Sequence, residues 1–153
     1  MRYKDFEGTL EELVEQKLQE IEEKEHVRIL HAVESGSRSW GFASPDSDYD
    51  VRFIYVRRPE DYLKLEPARD VIEWELDETL DINGWDLQKA LRQYHRSNST
   101  LFEWANSPVV YRTTEEWRQI HQAASVYFSE KAAMYHYYGT AKSNFLEFLQ
   151  GDT

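Results

Sequence analysis

The sequence predicts an α+β fold, in which helices flank a small mixed β-sheet. Segments follow one another in the order helix, strand, loop, strands and then helices. The chain has 153 residues, of which 41% are hydrophobic and 14% aromatic, and this suits one domain with its own core. A sheet backed by helices is the layered arrangement that this order of elements favours.

The N-terminal part predicts a helix followed by a strand. Thr9 and Glu12 form a capping box, so a helix is expected over residues 10–25. Its inward stripe has helical spacing and comprises Leu10, Leu13, Val14, Lys17, Leu18 and Ile21. Residues 27–33, VRILHAV, then suit a strand.

The next segment predicts a turn, a loop and a second strand. Residues 34–37, Glu-Ser-Gly-Ser, suit a turn that opens a short helix through residues 38–41. Pro45 and its neighbours are turn formers, which predicts a loop over residues 42–47. Residues 48–56, DYDVRFIYV, are rich in β-branched and aromatic side chains and suit a strand.

The middle of the chain predicts two further strands. Residues 57–70 contain two prolines and many charges, with room for a short helix at 61–64. Strands are expected at 71–76, VIEWEL, and at 80–85, LDINGW, with a turn over 77–79 between them.

The remainder predicts helices. Residues 99–105, STLFEWA, are expected to form a short helix. A second capping box, made by Thr113 and Glu116, predicts a helix that runs to about residue 127. The predicted helix starts lie at Asp86, Asn98 or Ser99, Thr113 and Ser129.

We interpret residues 1–153 as a single domain, with a sheet-containing core over about 1–110 and a helical extension over about 111–153. The last predicted helix, 130–150, carries apolar residues that no other predicted element covers. These are Phe145, Leu146, Phe148 and Leu149. Either sequence beyond residue 153, in which case the chain is truncated, or a second copy in a homo-oligomer is expected to cover that face.

Composition narrows the function classes. The absence of cysteine excludes disulfides and thiolate metal sites. The N-terminus lacks an apolar leader segment and no window approaches 18 apolar residues, so we expect a cytoplasmic protein that does not enter the membrane. The formal net charge of −11 leaves no surplus of Lys and Arg for gripping a long nucleic acid. An acidic protein can still handle nucleotides when divalent cations bridge the charges.

Two aspartates at the start of the second strand predict a cation site. Asp48 and Asp50 are two residues apart, so both carboxylates are expected on one face of the sheet. Like charges at that separation repel, and Mg²⁺ prefers carboxylate oxygens as ligands. Such a pair can hold one or two Mg²⁺ ions, the arrangement that clamps attacking and leaving oxygens in phosphoryl transfer.

The turn before the loop predicts a phosphate site. Gly36 lets the backbone approach a ligand closely, and Ser37 adds a hydroxyl donor. Main-chain N–H groups at a turn that enters a helix attract anions. Arg38 follows directly and could reach a phosphate, with a surface position or a pairing with Glu34 as the equal alternative. A triphosphate carried by Mg²⁺ would contact both the turn and the aspartates.

These motifs resemble a known family. Gly36-Ser37 followed by Asp48-Tyr49-Asp50 is similar to the signature of the DNA polymerase β-type nucleotidyltransferases. The stretch ESGSRSWGFASPDSDYDVRFIYV, with DINGWDLQKAL and SNSTLFEW, resembles the branch of predicted nucleotidyltransferases associated with RNA repair. The resemblance covers roughly residues 27–150 and is strongest at 33–56 and 80–104.

The resemblance implies a mixed sheet with flanking helices and a site for a nucleoside triphosphate at the Gly-Ser pair. It implies Mg²⁺ at the two aspartates, as two ions, with Mn²⁺ as a substitute, and a third carboxylate on a neighbouring strand that helps to activate the attacking hydroxyl. Asp81, between apolar Leu80 and Ile82, has the setting of that third carboxylate. Asp86 is a rival that also suits a helix N-cap, and Glu73 and Glu75 are further rivals with the required spacing.

We therefore expect a nucleotidyltransferase that transfers a nucleoside monophosphate from an NTP to a hydroxyl and releases pyrophosphate. An RNA end, a small molecule and a protein side chain all remain open as acceptors. The alternative is a module on the same fold that binds a nucleotide or a protein without turnover.

Overall fold

The computed structural model describes residues 7–36, 49–75, 80–96, 98–125 and 142. The helices within these ranges are α1 (Leu10–Glu25), α2 (Pro59–Tyr62), α3 (Leu87–His95), α4 (Ser99–Ala105) and α5 (Glu115–Ala124). The strands are β1 (Val27–Glu34), β2 (Tyr49–Arg57), β3 (Val71–Glu75), β4 (Leu80–Asp86) and β5 (Val110–Thr113).

The five strands form one mixed sheet in the order β3-β4-β2-β1-β5. The central pair, β2 and β4, is parallel, and the other pairs are antiparallel. Since β2 and β4 run in the same direction, their first residues lie at one edge of the sheet and their last residues at the opposite edge. This pairing decides which polar side chains meet.

Each face of the sheet carries its own apolar core. On one face, α1 packs its stripe against buried side chains of the sheet that include Val51, Phe53, Leu80 and Ile82. On the other face, α3, α4 and α5 pack around Leu30, Val33 and Ile54. Burial of alternate strand residues against α1 therefore directs the intervening residues of β2 and β4 to the face that holds α3 to α5.

The predicted α+β class with a small mixed sheet and flanking helices is confirmed. α1 has the predicted bounds, and both halves of the Thr9–Glu12 capping box are formed. The buried residues of α1 are Leu13, Val14, Lys17, Leu18 and Ile21, as the helical spacing predicts. Asp86 and Asn98 are the N-caps of α3 and α4, and their side chains accept backbone N–H groups.

One strand was not predicted, and two local predictions were wrong. β5 was not predicted, because its four residues are partly exposed and lack an apolar run. Thr114, not Thr113, caps α5, since its hydroxyl accepts the N–H of Trp117 while Thr113 belongs to β5. The short helix begins at Pro59, two residues before the predicted start, because proline suits the first position of a helix.

Several predictions lie outside the described residues. They are the short helix at 38–41, the loop at 42–47, the turn at 77–79 and, except for residue 142, the helix at 130–150 with its apolar face. Every helix in the described part of the chain is too short or too polar to span a bilayer.

A buried histidine joins β1 to β5 and the helices behind them. His31 is 5% exposed, stacks on Trp117 and contacts the hydroxyl of Thr113 and the carbonyl of Trp104. A carbonyl only accepts, so Nε2 carries the proton and Nδ1 accepts from the Thr113 hydroxyl. Burial lowers the pKa of His31 to about 4 from the usual 6.5.

We expect His31 to lower the free energy of unfolding as the pH falls below 6.5. Unfolded His31 takes up a proton below pH 6.5, whereas the folded side chain stays neutral until about pH 4. The neutral form therefore stabilises the fold fully above pH 6.5, and this contribution is lost as pH falls from 6.5 to 4, by up to about 3 kcal/mol. Urea unfolding at pH 7 and pH 4.5 should show a larger decrease for the wild type than for His31→Gln. Equal decreases in the two proteins would contradict the expectation.

Candidate active site

The structure places Asp50 and Asp81 side by side. They are register partners on the parallel strands β2 and β4, each at the second position of its strand. Their neighbours Val51, Leu80 and Ile82 are fully buried on the α1 face, so both aspartates lie on the other face. The side chains are 36% and 33% exposed, so both carboxylates reach solvent at the edge where the two strands begin.

Arg52 and Asn83 hold Asp81 in place. Asn83 Nδ2 lies 3.2 Å from each carboxylate oxygen of Asp81. Arg52 Nη2 lies 3.1 Å from Asp81 Oδ2 and 3.9 Å from Asp50 Oδ1. The guanidinium thus offsets two like charges that the strand register forces together. The role of Asn83 was missed in the sequence, although its position two residues after Asp81 on a strand is the available signal.

Glu34 anchors the backbone of Asp50. It is 1% exposed, and both of its carboxylate oxygens lie 3.0 Å from the Asp50 N–H. The Ser35 N–H donates to the Asp50 carbonyl at 2.8 Å, so the end of β1 and the start of β2 are joined on both sides of this residue. The sequence signal was a single charge at the end of the apolar run VRILHAV.

Gly36 brings the turn against Asp50. A Cβ atom at this position would lie 2.7 Å from Asp50 Oδ2, closer than real side chains approach. The absence of a side chain therefore allows the backbone of the predicted phosphate turn to pass directly beside the carboxylate. The two halves of the motif meet at Gly36 and Asp50. Asp48, Ser37 and Arg38 lie outside the described residues.

The structure places the rival carboxylates differently. Asp86 is 3% exposed and caps α3: Oδ1 accepts the Gln88 N–H and Oδ2 accepts the Tyr62 hydroxyl. It ends β4, at the sheet edge opposite Asp81. Glu73 and Glu75 stand on β3 in register with Asn83 and Asp81, one strand further from Asp50. Asp81 is the one of these residues that directly neighbours Asp50.

The donors at this edge suit a hard divalent cation. Asp50 and Asp81 offer carboxylate oxygens, the ligands that Mg²⁺ prefers, at a solvent-accessible position. Within the described ranges, no three acidic or histidine side chains converge, so these residues supply two carboxylates. Asp48, the remaining predicted ligand, lies outside those ranges.

These features define a small α+β protein with an acidic site at the start of two parallel strands and a glycine turn against it. The chain belongs to the RNA repair pathway DNA polymerase beta family, whose model matches residues 10–153. This confirms the family resemblance seen in the sequence motifs.

One curated relative is the uncharacterized protein YcgL of Bacillus subtilis (strain 168), 48% identical over 138 residues. The match covers 88% of this chain and 52% of the relative, so the chain spans about half the length of the relative it matches. No solved structure matches the chain.

Proposed function

We propose that the protein is a metal-dependent nucleotidyltransferase that transfers a nucleoside monophosphate from an NTP to a hydroxyl acceptor. The observation that carries this proposal is the register of Asp50 with Asp81 and the close passage of Gly36 beside Asp50. The carboxylates that would bind a cation and the backbone turn that would bind phosphates then lie at the same edge of the sheet. Membership of a polymerase beta family linked to RNA repair supports the same class of reaction.

Each residue has a role that its chemistry allows. Asp50 and Asp81, together with Asp48, would hold Mg²⁺, as one or two ions, and Mn²⁺ could substitute. Bound there, the cation would neutralise charge on the triphosphate and activate the attacking oxygen. The Gly36 backbone, Ser37 and Arg38 would bind the phosphates.

In the reaction, the acceptor oxygen forms a bond to the α-phosphorus, and the bond from that phosphorus to the pyrophosphate oxygen breaks. Asp81 would take up the proton of the attacking hydroxyl, and pyrophosphate would leave with the electron pair. Glu34 and Asn83 act on this site as positioning residues, because they hold the Asp50 backbone and the Asp81 carboxylate. Catalysis of this kind depends on positioning and charge neutralisation. The family's association with RNA repair favours an RNA end as the acceptor.

Calorimetric titration with each of the four NTPs, with and without Mg²⁺, tests the proposal. We expect micromolar binding that requires Mg²⁺ and weakens in Asp50→Asn/Asp81→Asn by about a hundredfold or more, since losing even an outer-shell partner typically costs about 10–100-fold. Glu23→Gln/Glu60→Gln removes two charges from exposed positions and should bind as the wild type does.

Absence of Mg²⁺-dependent binding in the wild type, or equal binding in both double variants, would overturn the proposal. Release of pyrophosphate on addition of RNA with a free hydroxyl end then distinguishes an enzyme from a module that binds without turnover.

A further inference from the structure

A second polar site lies at the opposite edge of the sheet. A cleft of about 350 Å³ opens where β2 ends at Arg57 and β4 ends at Asp86. Its other walls include Tyr62, Arg69, Gln88 and Arg92. Arg57 follows Asp50 by seven residues on β2, so the cleft is roughly 23 Å from the aspartate pair. The two sites are separate.

Arginines that have no carboxylate partner among the described residues collect in this cleft. The described part of the chain contains nine arginines, and five of them pair with carboxylates. The paired ones are Arg28, Arg52, Arg58, Arg112 and Arg118. The unpaired ones are Arg57, Arg69, Arg92 and Arg96, and the first three line the cleft. This concentration is notable in a chain with a net charge of −11.

The contacts of the three arginines leave their charge unneutralised. Arg57 donates to the carbonyls of Glu25 and Arg69, and its Nε is buried without a partner among the described residues. Arg92 Nε donates to the Gln88 carbonyl, and Arg69 is exposed. Neutral carbonyls satisfy N–H groups but do not cancel a positive charge.

The acidic residues of the cleft are already engaged. Asp86 accepts the Gln88 N–H and the Tyr62 hydroxyl. Asp61 pairs with Arg58 and Lys64, neither of which lines the cleft. Asp70 lies 4.0 Å from Lys89. Asp61 and Asp70 therefore face cations outside the cleft, whereas Asp86 accepts from neutral donors and keeps its negative charge. The three guanidinium groups of the cleft thus carry a surplus of positive charge over this one carboxylate.

We propose that this cleft binds the phosphate group of a nucleotide or of a short single strand of RNA. Planar guanidinium groups match phosphate oxygens in bidentate geometry, and three of them favour a multiply charged anion. The volume suits a nucleotide-sized ligand.

Titrations without Mg²⁺ and with EDTA test the cleft independently of the aspartate pair. The probes are inorganic phosphate, AMP and a 5′-phosphorylated tetranucleotide of adenylate. Binding should weaken by about a hundredfold or more in Arg69→Gln/Arg92→Gln, since losing each charge-assisted hydrogen bond typically costs about tenfold or more. It should be unchanged in Arg96→Gln/Arg118→Gln, which removes two arginines outside the cleft. Both arginines of the test pair are exposed, and Arg69→Gln alone serves as a second variant.

The probes distinguish the source of the phosphate. A tetranucleotide that binds no tighter than AMP identifies a single nucleotide, and tighter binding identifies a strand. For a strand, the logarithm of the affinity should fall with the logarithm of salt concentration with a slope of about −2 for three phosphate contacts. Arg69→Gln/Arg92→Gln, the cleft variant, removes two of these contacts and should reduce that slope to about −0.7.

Failure of this proposal and failure of the nucleotidyltransferase proposal are separable. Asp50→Asn/Asp81→Asn should retain binding of all probes in the absence of Mg²⁺. If no probe binds the wild type at millimolar concentration, or if the cleft variant and the control variant bind equally, the cleft is not a phosphate site.

Discussion

Asp81→Ala should abolish Mg²⁺-dependent NTP binding while leaving the free energy of unfolding within about 1 kcal/mol of the wild type, because this carboxylate is at the surface. Asp86→Ala should do the reverse. Loss of the helix cap and of the hydrogen bond from Tyr62 should lower the free energy of unfolding by about 1–2 kcal/mol. Mg²⁺-dependent binding should persist, because Asp86 lies at the edge of the sheet opposite Asp50.

The physical reason is register. Asp81 is the partner of Asp50 across the parallel pair β2 and β4, whereas Asp86 is the partner of Tyr55. Calorimetry with Mg²⁺ and NTP, together with urea unfolding of the same two variants, gives a crossed comparison in which each serves as the control for the other. If Asp81→Ala bound normally and Asp86→Ala did not, the third carboxylate would be misassigned.

Gly84→Ala should lower the free energy of unfolding by about 3 kcal/mol, near the upper end for an overpacked core. A Cβ atom at Gly84 would lie 2.1 Å from Cε2 of Phe53, its register partner on β2. The Phe53 ring is completely buried, so it cannot move aside into solvent. Either the ring or the central strand pair must shift to admit the methyl group.

A double-mutant cycle with Phe53 tests whether contact with its ring causes this loss of stability. Phe53→Leu removes the ring atoms that the methyl group would contact, so Gly84→Ala should cost at least about 1 kcal/mol less in that background than in the wild type. Urea unfolding of the four proteins measures the coupling. Additive effects would show that the cost arises from the strand backbone and not from the aromatic ring.

Local patterns account for most of the predicted elements. The Thr9–Glu12 capping box and the apolar stripe define α1, and β-branched and aromatic runs define β2 and β4. These signals depend on residues a few positions apart in the chain. In the folded protein, the apolar face that each pattern predicts is the face that the helix or strand buries. β5 escaped prediction because it is short and partly exposed, and pairing with β1 holds it in place.

Some features of the candidate active site follow from local sequence patterns, and others depend on the tertiary structure. The sequence shows that Asp50 and Asp81 each alternate with apolar residues along a predicted strand. That β2 and β4 are parallel neighbours, so that Asp50 and Asp81 meet, depends on the strand order of the whole sheet. The burial of Glu34 beneath the Asp50 N–H and the contact of Asn83 with Asp81 depend on the same pairing.

The fold class, the bounds of α1, the main strands and the family motifs at Gly36 and Asp50 were all predictable from the amino-acid pattern alone. The strand pairing places Asp81 beside Asp50, and the folded chain brings together in one cleft three arginines that have no carboxylate partner among the described residues. The physical reason is that helical and strand periodicity act over a few residues, whereas strand register and charge pairing join residues far apart in the chain. Strand register in turn depends on which side chains each face of the sheet buries.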